Sequence, residues 1–201
     1  MNNPLPLLFA IGLAAVALIC GQELITEDGQ SFAQARATID DGDFVTARWD
    51  ADLPYELRTK NYNSGSCVHA STISALEWTG QHEAAVRWRQ TYSGGESLSG
   101  LVSKAEKSGL TYAYTGNGDV GFLDWASRTR RWAVIFYKPS HSINFCGFDP
   151  QTGEAILLDN NATKQYERHP RAAFLRAWKG FGGVALVPVY SPTPPLMWVG
   201  N

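Results

Sequence analysis

Hydrophobic and polar positions divide this chain into stretches of different character. Leu5 to Ile19 is almost wholly apolar (LPLLFAIGLAAVALI), and Cys20-Gly21 extends it slightly. A bilayer span needs about 20 apolar residues and the apolar part of an export signal about 7–15, so the stretch falls between the two. It lacks the polar face of an amphipathic core helix. Residues 1–21 are therefore expected to be an export signal or a single membrane anchor. No Lys or Arg precedes the segment, and Glu23, Glu27 and Asp28 follow it. That charge balance predicts an extracytoplasmic body, secreted or held at a membrane by residues 5–21. Residues 22–48 are polar and rich in Gly and Asp, and read as a linker with one short helix around Phe32–Ile39. Residues 191–201, with Pro192, Pro194 and Pro195, read as an extended tail.

Residues 49–190 form the body. Trp49 to Tyr62 shows no clean period and reads as an extended lead-in. Val68, Thr72, Ala75, Leu76 and Thr79 fall on one face of a helix over Cys67–Thr79. Gly80 interrupts it, and a second helix is predicted from His82 to Tyr92. A third runs from Ser97 to Lys107 and is stopped by Gly109. Beyond it the pattern changes to short strands: Leu110–Tyr114, Trp132–Lys138, His141–Phe148, Ala155–Leu158 and Gly183–Tyr190. Asp119 caps a short helix through Ser127, and Pro170–Lys179 is a last helix with Pro near its first turn. Helices gathered in the first half and strands in the second predict an α+β fold, with an N-terminal helical lobe packed on a C-terminal antiparallel sheet.

Composition narrows the classes. The 201 residues suit one domain with short appendages, and 44% hydrophobic against 18% charged residues allows a sizeable core. A net charge of −2 and no basic run exclude the electrostatic footprint of a nucleic-acid binder. Three cysteines make no disulfide scaffold and no CxxC metal spacing. The histidines are scattered and no phosphate loop is present, so no metal or organic cofactor is implied.

The chemistry concentrates in three places. In Asn61-Tyr62-Asn63-Ser64-Gly65-Ser66-Cys67, a glycine-containing loop delivers a cysteine to the first turn of a helix. Unpaired N–H groups and the positive dipole end there favour the nucleophilic thiolate. His141 opens a strand directly after a Pro-Ser loop, where it is fixed yet can face a cleft. The apolar run Ile156-Leu157-Leu158 ends in Asp159-Asn160-Asn161, either of whose first two members could orient an imidazole. Neighbours on a strand face opposite sides, so only one of Asp159 and Asn160 can do so.

Cysteine first, histidine 74 residues later and an amide 19 further on resemble the papain-like cysteine peptidases. The nucleophile loop, the strand His141 to Gly147-Phe148, Leu158-Asp159-Asn160, and the ending Phe174-x-x-x-Trp178 with Gly183-Val184-Ala185-Leu186-Val187 are similar to the compact bacterial branch that includes the double-glycine leader peptidases. The resemblance implies Cys67 as nucleophile, His141 as general base and acid, and Asn160, which fits the motif register, as the orienting residue. It implies an oxyanion donor six residues before the cysteine. That position holds Asn61, one methylene shorter than the family's glutamine, with Asn63 as a substitute.

The implied activity is hydrolysis of peptide bonds through a thioester, on a peptide or protein substrate. Two further readings fit the same residues: a catalytically silent subunit of a membrane-associated assembly, and a cell-wall amidase or transglutaminase-like acyl transferase. His69 is expected to pack or lie at the surface, because two residues along a helix it points away from Cys67. His82 and His169 are expected in solvent, and Cys146 as a small buried hydrophobe rather than a disulfide partner of Cys67.

Overall fold

The computed structural model describes residues 52–63 and 65–189. The apolar segment 5–21, the linker 22–48 and the tail 191–201 lie outside the described residues. A 3-10 turn, Tyr55–Leu57, leads in. Three helices follow: α1 (Cys67–Trp78), α2 (His82–Thr91) and α3 (Leu98–Lys107). Then come β1 (Tyr112–Thr115), α4 (Val120–Arg128), β2 (Ala133–Phe136), β3 (Ser142–Phe148) and β4 (Ala155–Leu158). The last elements are β5 (Glu167–His169), α5 (Arg171–Gly180) and β6 (Ala185–Pro188). The strands make one six-stranded sheet in the order β1-β6-β2-β3-β4-β5, antiparallel at every pair. The α+β expectation holds.

The sheet is covered on both faces, so its strands read as unbroken apolar runs instead of alternating ones. Trp132, Val134, Ile156, Leu158 and Leu186 pack with α1, α2 and α3 in one core. Ala133, Ile135, Ile143, Phe145, Leu157 and Val187 pack in a second core with Phe174 and Trp178 of α5 and Leu123 of α4. The single helical lobe expected from the sequence is therefore one of two helical layers. α4 and α5 supply the other, because strands with apolar residues on both sides need two covers.

α1 departs from its predicted one-sided pattern. Every residue except Glu77 is buried, so it is a central helix enclosed on all sides. Its polar side chains are absorbed locally: Thr72 Oγ1 donates to the Val68 carbonyl at 2.8 Å, and Ser74 Oγ accepts the Thr59 N–H at 3.0 Å. β5 is absent from the predicted set, because Glu167-Arg168-His169 has no apolar period. It joins as an edge strand through the register Ala155↔His169, with Arg168 on Asp149 at 2.6 Å.

Two local features set the placement of the site. β3 and β4 run in register from Asn144↔Leu158 to Phe145↔Leu157, then shift at a bulge before Gly147, whose φ is 135°. The extra residue returns Phe148 to the side of Phe145, and their rings meet at 4.8 Å. At the end of α5, Gly183 lies against the turn before α4, where the Gly118 N–H donates to its carbonyl at 3.1 Å. A Cβ on Gly183 would lie 2.3 Å from the Gly118 Cα, and its φ is +60°. Gly183→Ala is therefore expected to destabilise the body by about 2–4 kcal/mol in urea unfolding, through backbone strain and a clash that cannot relax into a side chain.

Candidate active site

The loop before α1 is tied on several sides. Arg58 donates to the Leu53 carbonyl at 2.8 Å and the Thr163 carbonyl at 2.9 Å. The Asn61 N–H reaches the Asn160 carbonyl at 2.9 Å, and Tyr62 Oη donates to the Tyr92 carbonyl at 2.9 Å. Gly65 turns the chain at φ +102°, and Ser66 Oγ accepts the Gly94 N–H at 2.8 Å. Cys67 is thereby delivered, 6% exposed, to the first position of α1.

His141 comes from the turn between β2 and β3. Two backbone bonds close that turn: Tyr137 N–H to the His141 carbonyl at 3.0 Å and His141 N–H to the Lys138 carbonyl at 3.3 Å. The imidazole bonds Asp159 Oδ1 through Nε2 at 2.8 Å, and the ring also interacts with the Cys67 sulfur. The Ser142 N–H also donates to that sulfur, at 3.4 Å. Asp159 Oδ1 accepts the Asn161 N–H at 2.9 Å, and its Oδ2 takes Lys138 Nζ at 3.0 Å. A cleft of about 390 Å³ opens over the sulfur and the imidazole, with Gly65, Glu96, Phe136 and Phe181 among its walls.

The electrostatics favour an ion pair. Burial by itself would raise the Cys67 pKa. The hydrogen bond to His141, the Ser142 N–H, the imidazolium charge and the Val68 N–H outweigh it, and hold the thiol below its ordinary value. The hydrogen bond to Asp159 leads the causes that push His141 up to about 9, with Cys67 second and burial opposing. Burial would raise Asp159, but His141, the Asn161 N–H and Lys138 hold it well below the usual carboxylate range. These directions favour a thiolate beside an imidazolium, the latter anchored on a carboxylate.

The structure corrects two expectations. Asn160 does not hold the imidazole. Its Nδ2 lies 3.0 Å from the Cys67 carbonyl, 2.9 Å from Ser71 Oγ and 2.7 Å from the Ser142 carbonyl. It is a buried clamp between the start of α1 and the start of β3. The physical reason is register. Asn144↔Leu158, continued past the end of β4, sets Asp159 on the side of Ile143 and His141, and Asn160 on the side of Ser142, facing α1. Asn61 is not turned into the cleft. Its Nδ2 donates to Asn161 Oδ1 at 3.1 Å, and it is not among the lining residues. Asn63 is exposed at the turn, at φ +47°.

Sequence reasoning passed over Lys138, which looked like the last residue of a strand, and Ser71, one turn past Cys67 on a helix otherwise expected to bury apolar groups. The remaining histidines take other roles. His69 is fully buried between Trp88, whose indole N–H donates to its Nδ1 at 3.3 Å, and the Tyr92 ring stacked at 5.9 Å. Burial first, and Lys104 second, push its pKa down to about 4, so it is neutral packing. His82 meets Glu77, and His169 meets Glu167 at 3.1 Å. Cys67 and Cys146 are free thiols. Among the described residues no group of three His, Cys, Asp or Glu is arranged to hold a metal, and no helix is long and apolar enough to cross a membrane.

No family model and no curated protein matches this chain. Among solved structures it is similar to a double glycine motif protease from an AMS/PCAT transporter in complex with the leader peptide. The identity is 17% and the TM-score 0.50, over 72% of this chain and 96% of that one. It is also similar to the peptidase domain of Streptococcus ComA, a bi-functional ABC transporter involved in a quorum sensing pathway, at 20% identity and a TM-score of 0.49, over 65% of this chain and 97% of that one. The first likeness is one of fold: helices on an antiparallel sheet in the papain-like arrangement.

Asp159 and Asn160 can be told apart by experiment. Asp159→Asn is expected to drop the His141 titration from about 9 to near or below the ordinary histidine range, followed by NMR of the imidazole. Asn160→Ala is expected to cost about 2–4 kcal/mol in urea unfolding, from a lost buried amide and the acceptors it leaves.

Proposed function

We propose that this protein is a cysteine peptidase in which Cys67 is the nucleophile, His141 the general base and acid, and Asp159 the residue that orients the imidazole. The single observation that carries this reading is the His141 ring held on the Asp159 carboxylate at 2.8 Å while it lines, together with Cys67, one open cleft. The likeness in fold to a protease held with its leader peptide supports a peptide as the substrate.

The chemistry follows from the charges. The thiolate attacks the carbonyl carbon of the scissile amide, and the carbonyl oxygen takes up negative charge beside the N-terminal amides of α1. Those amides lack acceptors inside the helix and suit a developing oxyanion. The imidazolium donates its proton to the leaving nitrogen, the C–N bond breaks, and a thioester remains on Cys67. The now neutral imidazole takes a proton from water, whose oxygen attacks the thioester. The acid is released and the thiolate–imidazolium pair returns. Asp159 keeps its charge throughout and holds the ring in one orientation. With Asn61 turned to Asn161, the backbone amides carry more of the oxyanion than a side-chain donor does.

The apolar segment 5–21 underlies the further proposal that this chemistry takes place outside the cytoplasm, on a body secreted or held at a membrane.

A peptide vinyl sulfone incubated with the full chain is expected to label Cys67, located by mass mapping, and Cys67→Ala is expected to abolish both label and turnover. His141→Ala is expected to lower kcat/KM by about 10²–10⁴-fold on a peptide panel that includes chains with a Gly-Gly motif. Turnover unchanged in Cys67→Ala would refute the reading.

A further inference from the structure

We propose that Lys138 is a positioning residue of this site, whose ammonium shares the Asp159 carboxylate with the His141 imidazole and so sets the upper pH limit of the thiolate–imidazolium pair. The inference rests on the reading of Cys67 and His141 as that pair.

The carboxylate has two oxygens, and both are used. Oδ1 takes the ring Nε2 at 2.8 Å and the Asn161 N–H at 2.9 Å, while Oδ2 takes Lys138 Nζ at 3.0 Å. The Asp159 side chain is 8% exposed, whereas that of Lys138 is 44% exposed and lines the cleft. Asp159 is thus pinned against rotation about its last bond by donors on both oxygens.

The backbone that carries Lys138 is unusual in the same place. Lys138 sits at φ +89° and Ser140 at φ +53°, in the left-handed region that residues with a Cβ rarely occupy. Strain of this kind persists where surrounding contacts over-determine it. Here the turn is closed at both ends by the Tyr137 and His141 backbone bonds. Its outcome is that two cationic side chains, three residues apart on a tight turn, converge on one carboxylate.

The electrical consequence has a definite sign. A carboxylate facing one imidazolium applies its whole field to that proton. A second cation on the other oxygen cancels part of the field, so the imidazolium releases its proton at a lower pH than Asp159 alone would dictate. The charged and titratable groups around this arrangement are Cys67 at the ring, Tyr137 on the turn, and Glu167 of β5, which acts on both Lys138 and Tyr137. Across the cleft Glu96 is paired with Lys104. Among the described residues no third cation pairs with Asp159 besides Lys138 and the imidazole.

The test compares the full chain with Lys138→Gln, which keeps a hydrogen-bond donor and removes the charge, and Lys138→Arg, which keeps the charge. His141 is titrated by NMR, and the alkaline limb of Cys67 alkylation by iodoacetamide is read by mass mapping. Lys138→Gln is expected to move both readouts up by about half a pH unit, the discount from a closer pair reflecting solvent screening. Lys138→Arg is expected to titrate with the parent. A Lys138→Gln protein that titrates with the parent, or below it, overturns the proposal, even if its melting temperature falls. The underlying pair is tested separately: a parent Cys67 alkylated no faster than a free thiol overturns the pair itself, whatever the Lys138 variants do.

Discussion

A thiol, an imidazole and a carboxylate gathered in a half-buried cleft can carry charge only where each charge is compensated, and this site is built around that constraint. The sulfur is compensated by the Ser142 and Val68 amides and by the imidazolium itself. The imidazolium is compensated by Asp159, and Asp159 by the Asn161 amide and Lys138. Each partner comes from a different element: the N-terminus of α1, the β2–β3 turn and the end of β4. Any charge on Cys67 therefore depends on the whole arrangement of helix against sheet.

That dependence explains why so much polar material lies under the site. α1 is buried against α2 and the sheet, an environment that would ordinarily call for apolar side chains. It nevertheless carries Ser71, Thr72 and Ser74, and it faces Asn144, whose amide donates to the Ser71 carbonyl at 2.9 Å. With Asn160 spanning Cys67, Ser71 and Ser142, these groups lock the helix to the strand that follows His141. Apolar packing of the same volume would hold α1 as firmly in depth, but would leave it freer to slide or rotate. A hydrogen bond has a direction, and the sulfur has to be fixed in direction as well as in depth.

The two covering layers divide the labour. The first core, with Trp132 stacked on Trp78 at 5.4 Å, seats the helix that bears Cys67. The second core, with Phe145 stacked on Phe174 at 5.4 Å, backs the strands that present His141 and Asp159. The sheet between them is the common reference against which both halves of the site are measured. Gly147 and its bulge keep Phe148 in the second core without disturbing the residues before it, which set the register at the site.

Local chemistry in the chain determined most of the elements and two of the three central residues. A glycine loop entering a helix marked Cys67, and a strand opening after Pro139-Ser140 marked His141, because both signals are local in sequence. The edge strand Glu167–His169 escaped, since its pairing partner and not its own pattern makes it a strand. Asp159 and Asn160 could not be told apart along the chain: both are short polar residues at the end of one apolar run. Only the register of β3 on β4 decided that Asp159 meets the imidazole while Asn160 turns to α1, and a slip of one residue would have exchanged them. Lys138 likewise gains its partner from a turn conformation that tertiary contacts impose. Residue type and spacing are properties of the chain, but the side of a sheet on which a side chain falls is a property of how its strands are paired.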